Sequence, residues 1–577
     1  MPLGFPPLAV GCCKRTILVT PATAVVGADT CEASEGVCPV RCSEPNRGFE
    51  SEGQSLSSLV LSLNNRLGRT ETMPLEETAL LGDPPLTVPM VIIGNGPSGI
   101  CLSYVLSGYR PYLSEEAVHP NPILHSKLEE ARHLSILDQD LEYLSEGLEG
   151  RSSNPVAVLF DTLLHPDVDF GYNYPSVLQW KLEQHHYIPH IVLGKGPPGG
   201  AWHAIDGSML TISLGEWMEL PGLKFKDWIA GKRRNIKCDR ATPEEIASYY
   251  KQYIKVMGLQ RNFIENTYIT SVLRLYRDQE KDENTFASEQ ELQIENENEW
   301  ATLTKRNWEV CGYQKTTDGS HIPFSIFAEN VALATGTFDS PARLKTEGED
   351  LPFVHHSVRN FEGAIIKGKL SGKVDPVLVV GAGLTAADAV LCAYNNNIPV
   401  IHVFRRKAND PSLIFKQLPK TLYPEYHKVH NMMCTQSDAV ISTLHPTYTS
   451  FPEHCVLSFK PDMKCVLQSA SGLKKVFKIS MALVLIGSHP NLFFLKEQGQ
   501  SIGHNPNQPI TCKGNPVEIN PFTYEATKEP NLFALGPLVG DNFIRFLKGG
   551  ALAITQCLEI RQKKKKQAIV EGGDGVV

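Results

Sequence analysis

Two glycine-rich turns, each at the end of an apolar run, constrain this chain more than any other feature. In the first turn, residues 88–93 lead into the letters Gly-Asn-Gly-Pro-Ser-Gly at 94–99, and a helix-compatible segment follows. In such a turn the first glycine permits the tight bend, the second lets a pyrophosphate approach the backbone, and the third packs the helix against the strand. The free N–H groups and the dipole of the helix start then face the phosphates. The pattern predicts a dinucleotide site that contains Gly94, Gly96, Pro97, Ser98 and Gly99.

A second copy of the pattern lies far along the chain. Residues 376–380 are apolar and lead into Gly-Ala-Gly-Leu-Thr-Ala at 381–386. Alanine can stand at the third position, because only close packing is required there. Two such turns predict two dinucleotide sites, for which a flavin and a nicotinamide are the natural pair. The predicted fold is α/β, with two Rossmann-like dinucleotide-binding domains for FAD and NADPH. The second site would contain Gly381, Gly383, Thr385 and Ala386.

A basic cluster follows the second strand of the second unit. The apolar run 400–404 ends in Arg405, Arg406 and Lys407. NAD-binding units carry an acid at this place for the ribose 2′-hydroxyl, whereas NADP-binding units carry arginine for the 2′-phosphate. A guanidinium matches a phosphate through paired hydrogen bonds. Arg405 and Arg406 are therefore predicted to bind the 2′-phosphate of NADPH; the alternative is a solvated basic strand end.

The bulk composition excludes several classes of protein. The net charge is −8 and the isoelectric point is near 6.2, so no overall positive field draws the chain to nucleic acid or to anionic lipid. No apolar run reaches the roughly 18 residues that a membrane helix needs. The 14 cysteines include no Cys-x-x-Cys pair, which is typical of a reducing compartment and argues against a dithiol flavoprotein reductase. The chain is predicted to be cytoplasmic and not secreted, without a nucleic-acid partner, a membrane span or a metal site.

The order of these patterns predicts the domain organisation. The first turn should be followed by a second strand about 20 residues later, but the next suitable strand is 188–193, which makes residues 107–187 a long insertion. The predicted segments are a disordered N-terminal extension (1–85), the first part of the FAD-binding domain (86–371) with its insertion, the NADPH-binding domain (372–490), the closing part of the FAD-binding domain (491–560) and a flexible basic tail (561–577).

The segment after the strand 188–193 carries a family resemblance. Residues 194–203 read Gly-Lys-Gly-Pro-Pro-Gly-Gly-Ala-Trp-His, and the Gly-Gly-x-Trp within them resembles the flavin-containing monooxygenases and their N-hydroxylating relatives. The resemblance continues in an Ala-Thr-Gly strand end at 334–336 and in a strand that ends in Gly-Asp at 540–541. In that superfamily these positions run beside the flavin, and the aspartate accepts hydrogen bonds from the ribityl hydroxyls. The residues implied in flavin binding are Gly199, Gly200, Trp202, Thr335, Gly336, Gly540 and Asp541.

The chain departs from the superfamily at one position. An acidic residue usually stands about six positions before the double glycine and binds the adenosine ribose, but this chain has Leu193 there. Two alternatives follow: another carboxylate from the insertion substitutes, or FAD binds more weakly than usual. His356, in a His-Ser pair that the superfamily also carries, is interpreted as an anchor of the crossover between domains rather than as a chemical group.

Three stretches narrow the resemblance further. They are Pro-Ser-Gly-Ile-Cys-Leu-Ser-Tyr at 97–104, the glycine loop 194–203 and Phe-Leu-Lys-Gly-Gly-Ala-Leu at 546–552. These resemble the oxidative stress-induced growth inhibitor family. The resemblance implies monooxygenase activity on an oxidisable substrate with O2, a role in growth control and cytokinesis, and protein partners in cell division. It also implies a cytoplasmic location, with the midbody and the nucleus as alternatives.

Two other functions fit the same residues. The chain could be a regulatory binding protein that keeps the fold and turns over little, which the missing ribose acid and the long insertion favour. It could also be an NADPH oxidase that releases peroxide. A flavin cofactor carries the oxidative chemistry itself, so the lack of a catalytic triad or a carboxylate pair does not exclude an enzyme. No individual residue is predicted to be catalytic.

Overall fold

The computed structural model describes residues 86–205, 209–230, 240–275, 307–435 and 445–573, and the side chains up to residue 567. The extension predicted for residues 1–85 lies outside the described residues. All described residues belong to one compact unit. Of the helices in these ranges, none combines the length and the apolar character needed to cross a bilayer.

The described ranges contain nineteen strands and ten α-helices. In chain order the strands are β1 (Leu86–Ile93), β2 (Tyr109–Leu113), β3 (Leu178–Leu182), β4 (His190–Leu193), β5 (Phe263–Ile264), β6 (Thr267–Arg274), β7 (Trp308–Lys315), β8 (His321–Leu333), β9 (Ser340–Pro341), β10 (Val354–His355), β11 (Val377–Val380), β12 (Val400–Phe404), β13 (Tyr448–Pro452), β14 (His454–Lys460), β15 (Lys464–Ser469), β16 (Lys474–Lys478), β17 (Met481–Val484), β18 (Ser488–His489) and β19 (Leu532–Ala534). The helices are α1 (Pro97–Leu106), α2 (Pro122–Glu130), α3 (Leu141–Ser145), α4 (Pro155–Leu164), α5 (Phe225–Ala230), α6 (Pro243–Val256), α7 (Val358–Ile366), α8 (Leu384–Asn395), α9 (Pro424–Thr435) and α10 (Gly549–Gly573).

The first sheet has β1 near its centre. Its order is β5-β4-β1-β8-β7-β6, and β19 pairs with the last residues of β8. β1 is parallel to β4 and to β8, whereas β6 and β7 are antiparallel. Residues 90–93 of β1 are all buried, as expected for a strand that is covered on both faces. Because the central strands are parallel, the carboxyl ends of β1, β4, β8 and β19 meet at one edge, which we call the first carboxyl edge.

The second sheet is smaller and entirely parallel. Its order is β10-β17-β11-β12-β13, and β11 is paired with both β12 and β17. An antiparallel sheet of β14, β15 and β16 follows β13. Two Rossmann-like sheets in the predicted order confirm the α/β fold class. The predicted strand 188–193 is β4, which pairs with β1 as the second strand of the first unit should.

The insertion between β1 and β4 packs on the end of the chain. Its helix α4 lies so close to α10 that a Cβ on Gly549 would stand 2.4 Å from the Cα of Ala157. Nearby, the Nε of Arg545 donates to Oδ1 of Asp161 at 2.8 Å, and both side chains are buried. Buried ion pairs of this kind need several compensating contacts. The insertion, whose role the sequence does not indicate, therefore holds the start of the last helix.

A second buried arginine fastens the same two segments. The guanidinium of Arg110, on β2, pairs with Asp138 at 2.6 Å and with Glu559 of α10 at 2.5 Å. Only 1% of the Arg110 side chain is exposed. Both of these partners are acceptors, so the buried charge is neutralised from two sides. The strands and helices of the insertion form part of the core rather than a separate appendage.

The last helix differs from the prediction for the C-terminus. The flexible tail was expected from residue 561, but α10 continues through Gly573. Arg561, the first residue of that tail, donates to Oε2 of Glu525 at 2.6 Å and to Oδ1 of Asn531 at 3.1 Å. The basic residues from 561 onward continue the helix, because the straight side chains of Lys and Gln favour helical structure.

A buried histidine connects the second sheet to its glycine turn. His402, on β12, is fully buried; its Nε2–H donates to the carbonyl oxygen of Gly381 at 2.7 Å, and its Nδ1 accepts from the hydroxyl of Tyr448 at 2.8 Å. Burial lowers the pKa of His402 to about 4, against the raising effect of the bond to Gly381. The side chain is therefore neutral at physiological pH and holds the turn in place.

This arrangement predicts that His402 makes the free energy of unfolding depend on pH. In the unfolded chain His402 takes up a proton near pH 6.5, whereas the folded site resists it down to about pH 4. The free energy of unfolding therefore falls as the pH falls through this window, by about 2 kcal/mol at pH 5. Urea midpoints at pH 7 and pH 5 should differ less in His402→Gln than in the unmodified chain. The exposed His489→Gln variant should behave like the unmodified chain; equal acid loss in both variants would contradict this account.

Candidate functional site

The first glycine turn lies at the first carboxyl edge, between β1 and α1. Gly94 has φ +113°, and a Cβ there would stand 2.3 Å from the carbonyl oxygen of Ala334. A Cβ on Gly99 would stand 2.1 Å from the carbonyl oxygen of Gly94. At Gly96, by contrast, a Cβ would meet no atom within 4 Å. Gly94 and Gly99 are thus required by the packing of the protein itself, whereas Gly96 faces open space.

The start of α1 is free to bind an anion. Gly96 is its N-cap residue, and no side chain hydrogen bonds to the helix start. Pro97 stands at the first helical position, where its fixed φ suits a helix and its missing N–H costs nothing. The dipole and the remaining N–H groups of this end favour negative charge. The geometry therefore meets the requirement of a phosphate-binding helix start.

A cavity of about 480 Å³ opens against this helix start. Five separate segments join the first turn in its wall: the glycine loop after β4, β6, the end of β8 with the residues after it, α7, and the closing part of the chain. Of the residues predicted to bind FAD, those that line the cavity are Gly94, Gly96, Pro97, Ser98, Gly200, Trp202, Thr335 and Gly336. Gly99 and Gly199 stand behind this wall: Gly99 packs on Gly94, and the N–H of Gly199 donates to the carbonyl oxygen of Asn95 at 2.9 Å.

One hydroxyl in the cavity wall lacks a hydrogen-bond partner among the described residues. The Oγ1 of Thr335 is buried and finds no partner among the described residues. Buried polar atoms are nearly always paired, so an orphan of this kind calls for an explanation. Thr335 follows β8 directly and lines the cavity. A ligand in the cavity would supply the missing partner.

A carboxylate lies in the cavity wall near the end of β4, where Leu193 stands in place of the usual acid. Leu193 is buried at the end of β4, but Lys195 and Asp339 both line the cavity, and Lys195 Nζ donates to Asp339 Oδ2 at 2.5 Å. Asp339 follows β8 and does not belong to the insertion. Of the two alternatives for the missing acid, a carboxylate from the insertion or weaker FAD binding, the first gains no support here, because none of residues 107–187 lines the cavity.

Asp541, which is predicted to bind the ribityl hydroxyls, already has hydrogen-bond partners within the protein. Its carboxylate is buried and already accepts three hydrogen bonds, from Ser152 and Asn154 to Oδ1 at 2.6 and 3.0 Å and from Tyr524 to Oδ2 at 3.0 Å. Burial raises its pKa to about 6 despite these bonds. Neither Gly540 nor Asp541 lines the cavity, whereas the next residue, Asn542, does. Asp541 therefore joins the closing segment to the insertion, because Ser152 and Asn154 of the insertion donate hydrogen bonds to its carboxylate.

The second glycine turn repeats the first at the carboxyl edge of the second sheet. Gly381 has φ +133°, and a Cβ there would stand 2.2 Å from the carbonyl oxygen of Leu485. Gly383 is the N-cap of α8, lacks a side-chain cap and has no atom within 4 Å of a Cβ position. Ala386 is fully buried, and Thr385 is exposed beside the helix start. The second turn thus has the same three features as the first, although its residues do not line the first cavity.

The two predicted arginines lie at this second edge. They follow β12, whose Val403 is in register with Val380 at the end of β11. Both are exposed. Arg406 Nη1 donates to the hydroxyl oxygen of Ser412 at 2.8 Å, whereas Arg405 makes no hydrogen bond or ion pair to the residues that the structure describes. Arg405 is therefore the more available of the two.

Several residues of the site were not predicted from the sequence. Asn95 donates from Nδ2 to the carbonyl oxygen of Gly196 at 2.7 Å and so ties the first turn to the glycine loop. Arg359, on α7, reaches the cavity wall from the segment that joins the two sheets. Nε2 of His356 lies 3.0 Å from Oε1 of the buried Glu349, and its anchoring role stays a prediction. Residues such as Asp339 have no local motif that could have revealed them.

Comparisons with known proteins agree with this fold. No protein-family model matches the chain. The human protein "Oxidative stress-induced growth inhibitor 2" is 75% identical over 508 residues, which cover 87% of this chain and 100% of the relative. The human "Oxidative stress-induced growth inhibitor 1" is 50% identical over 487 residues, which cover 83% of this chain and 96% of the relative. Among solved structures, the bacillithiol disulfide reductase Bdr from Staphylococcus aureus matches with a TM-score of 0.50 at 14% identity and covers 82% of this chain and 99% of its own, which is a likeness of fold.

The contrast between two glycines of the first turn gives a stability test. Gly99→Ala places a methyl group 2.1 Å from a backbone carbonyl oxygen, so α1 must shift away from β1. Overpacking of this kind costs about 1–3 kcal/mol. Gly96→Ala adds the same methyl group in open space and should leave stability unchanged. Thermal unfolding of the two purified variants, both freed of bound cofactor, measures the difference, and a Gly99→Ala variant as stable as Gly96→Ala would contradict the packing described.

Proposed function

This chain belongs to the oxidative stress-induced growth inhibitor family, and we propose that it is an FAD- and NADPH-dependent oxidoreductase of the monooxygenase type. The observation that carries the proposal is the cavity against the first uncapped helix start. The names of the two human relatives refer to growth inhibition induced by oxidative stress. We place the oxidation in the control of growth and cytokinesis, exerted on an oxidisable substrate and through protein partners in the cytoplasm.

The first cavity suits the diphosphate of FAD. The open space at Gly96 is where a phosphate group would lie against the helix start, and a side chain at this position would fill it. The unpaired hydroxyl of Thr335 lies in the same wall and would gain a partner from the cofactor. Gly200 approaches Gly96 so closely that a Cβ on Gly200 would stand 3.0 Å from its Cα. These features together support FAD as the occupant.

We assign the role of the missing ribose acid to Asp339. Two ribose hydroxyls need an acceptor at the end of β4, where Leu193 offers none. Asp339 stands beside that end because Lys195, two residues after β4, holds its Oδ2 at 2.5 Å. The ammonium group orients the carboxylate through Oδ2, while Oδ1 has no hydrogen-bond partner among the described residues. The acceptor thus comes from the segment after β8 instead of from β4.

The second turn suits NADPH. Gly383 leaves open space at an uncapped helix start, as Gly96 does in the first turn. Arg405 extends from the neighbouring strand at the same edge and is not paired with described residues. A 2′-phosphate bound by this guanidinium would distinguish NADPH from NADH. The proposal assigns the phosphate contact to Arg405 first, since Arg406 already binds Ser412.

The contribution of the chain to the reaction is binding and exclusion of water. A flavin held in the first cavity would supply the electron transfer and the chemistry with oxygen. The cavity wall around it includes the apolar side chains of Trp202, Phe494, Ile544 and Leu547. Such walls limit the access of water to reactive groups. Arg359 places a positive charge at the rim.

A regulatory protein with little turnover is the second candidate. Two observations favour it: Leu193 replaces the usual ribose acid, and the carboxylate of Asp541 is bound by Ser152, Asn154 and Tyr524. Both remove contacts that would bind a flavin tightly. On this account the fold serves the interaction with partners, and the flavin is weakly held or absent.

The spectrum of the purified full chain distinguishes these functions. The proposal predicts a flavin spectrum that NADPH bleaches under anaerobic conditions. Gly96→Ala should weaken FAD binding at least about tenfold, because a methyl group occupies the phosphate position. Asp339→Asn should weaken it about 10- to 100-fold, the effect of losing a charge-assisted hydrogen bond of about 1.5–3 kcal/mol. Titration of the apoprotein with FAD measures both.

The outcomes have distinct meanings. Peroxide equal to the NADPH consumed, without any substrate, would indicate an oxidase. A chain that stays colourless and is not stabilised by FAD would indicate the regulatory function. Gly99→Ala serves as a comparison in the FAD titration, since its defect should appear in stability rather than at the phosphate position. A Gly96→Ala variant that binds FAD as tightly as the unmodified chain would contradict the assignment of the cavity.

The cofactor preference gives a separate test. Arg405→Ala should weaken NADPH binding about 10- to 100-fold through the loss of one charge-assisted contact worth about 1.5–3 kcal/mol, and NADH binding should hardly change. Lys407→Ala, a neighbouring exposed cation, is the matched control and should keep the preference. Dissociation constants for both cofactors measure the effect. Equal losses for NADPH and NADH would show that Arg405 does not bind the phosphate.

A further inference from the structure

Three side chains with metal-binding atoms converge on the loop between β3 and β4. They are Glu183, His185 and His186, whose ligand atoms all lie within 4.8 Å of one another. The Nε2 atoms of His185 and His186 stand 3.9 and 3.7 Å from Oε2 of Glu183. We propose that this cluster, which we call the Glu-His-His cluster, binds a zinc ion that fastens the insertion to the last helix. Sequence spacing alone predicted no metal site.

The distances suit a small transition-metal ion. Ligand atoms bound at about 2.0–2.1 Å in a tetrahedral zinc site lie about 3.4 Å from one another. The observed separations of 3.7 and 3.9 Å therefore need only small side-chain rotations to close around the ion. Two imidazole nitrogens and one carboxylate oxygen are a common zinc donor set, in which water takes the fourth position. A hard cation such as Ca²⁺ would instead require more oxygen ligands.

Two of the three ligands are already oriented by neighbours. Nδ1 of His186 lies 3.1 Å from Oε1 of Glu559, and the hydroxyl of Tyr112 donates to Oε1 of Glu183 at 2.6 Å. Nδ1 of His186 also lies 3.2 Å from Nη1 of Arg110. A metal at Nε2 selects the tautomer in which Nδ1–H donates to Glu559, and Nη1 of Arg110 then donates to Glu559 alone. The bond from Tyr112 occupies one carboxylate oxygen of Glu183 and leaves Oε2 for the ion. Such outer hydrogen bonds are typical partners of metal ligands.

The local charge favours a cation. Three carboxylates surround the cluster, those of Asp138, Glu183 and Glu559, and two cations face them, Arg110 and Lys563. Arg110 Nε lies 3.9 Å from Oε2 of Glu183, but its Nη1 and Nη2 are bound to Glu559 and Asp138. Among these carboxylates and cations, one negative charge therefore remains in excess. A divalent ion would compensate this charge.

The location of the cluster indicates a structural role. The loop precedes β4, so it lies at the amino end of a strand whose carboxyl end borders the cavity. The ligands reach β2 through Tyr112 and α10 through Glu559. A metal at this point would join three segments far apart in sequence and stabilise the folded chain by mass action. The ion would not contact the cofactor sites.

The test uses the full chain, purified without a polyhistidine tag and stripped of metal. Zinc is titrated against a fluorescent chelator, and thermal unfolding is followed with and without zinc. We expect one zinc ion per chain and a higher unfolding temperature in its presence. His185→Ala should weaken zinc binding at least tenfold and remove most of the temperature gain. Because 74% of the His185 side chain is exposed, its loss should not disturb the fold.

Further variants separate the cluster from general effects of histidine. Glu183→Gln should also lose at least tenfold in affinity, whereas His489→Ala, an exposed histidine on β18, should bind zinc as the unmodified chain does. X-ray absorption of the zinc-loaded chain should show imidazole and oxygen ligands without sulfur. Zinc binding that is unaffected in His185→Ala, or the absence of stoichiometric binding, would overturn the proposal.

Discussion

Gly99 approaches the carbonyl oxygen of Gly94 so closely that no side chain fits between helix and strand, and the first cavity depends on this contact. The approach fixes where α1 begins relative to the end of β1. It therefore decides where the free N–H groups of the helix start point. The second sheet meets the same constraint through Gly381 against Leu485 and the buried Ala386. In both turns the second glycine, Gly96 or Gly383, faces open space, and it is the position at which the protein itself has room for a side chain.

The insertion and the closing segment form a second connected part of the structure. Arg110 and Arg545, both buried, bind carboxylates across the contact between the insertion and the region of α10. Removing one partner of such a pair usually costs about 3–5 kcal/mol, because a charge is left buried alone. Asp541 belongs to this network and not to the cavity. The position of the last helix near the cavity thus depends on residues from the insertion.

The sequence predicted those features that follow from local constraints. The glycine turns, the apolar strands of both sheets and the basic end of β12 each depend on neighbours in the chain, so their spacing is informative. The donors that bind the carboxylate of Asp541, Ser152 and Asn154, could not be anticipated, because they come from the insertion, nearly 390 positions earlier along the chain. Asp339 was missed for the same reason: only the parallel pairing of β1 with β4 and β8 brings its segment beside Lys195. Contacts across distant segments leave no periodic signal.

The pairing of β19 with β8 has a consequence for synthesis on the ribosome. Residues 331–333 of β8 lie between β1 and β19, and β19 is made only after more than nine tenths of the chain. Until then, one side of these residues carries unpaired backbone N–H and C=O groups next to an apolar core. Open strand edges of this kind attract other strands. A chain that stops before Leu532 would therefore be a protein with an unpaired, aggregation-prone sheet edge, and a natural target for chaperones and degradation.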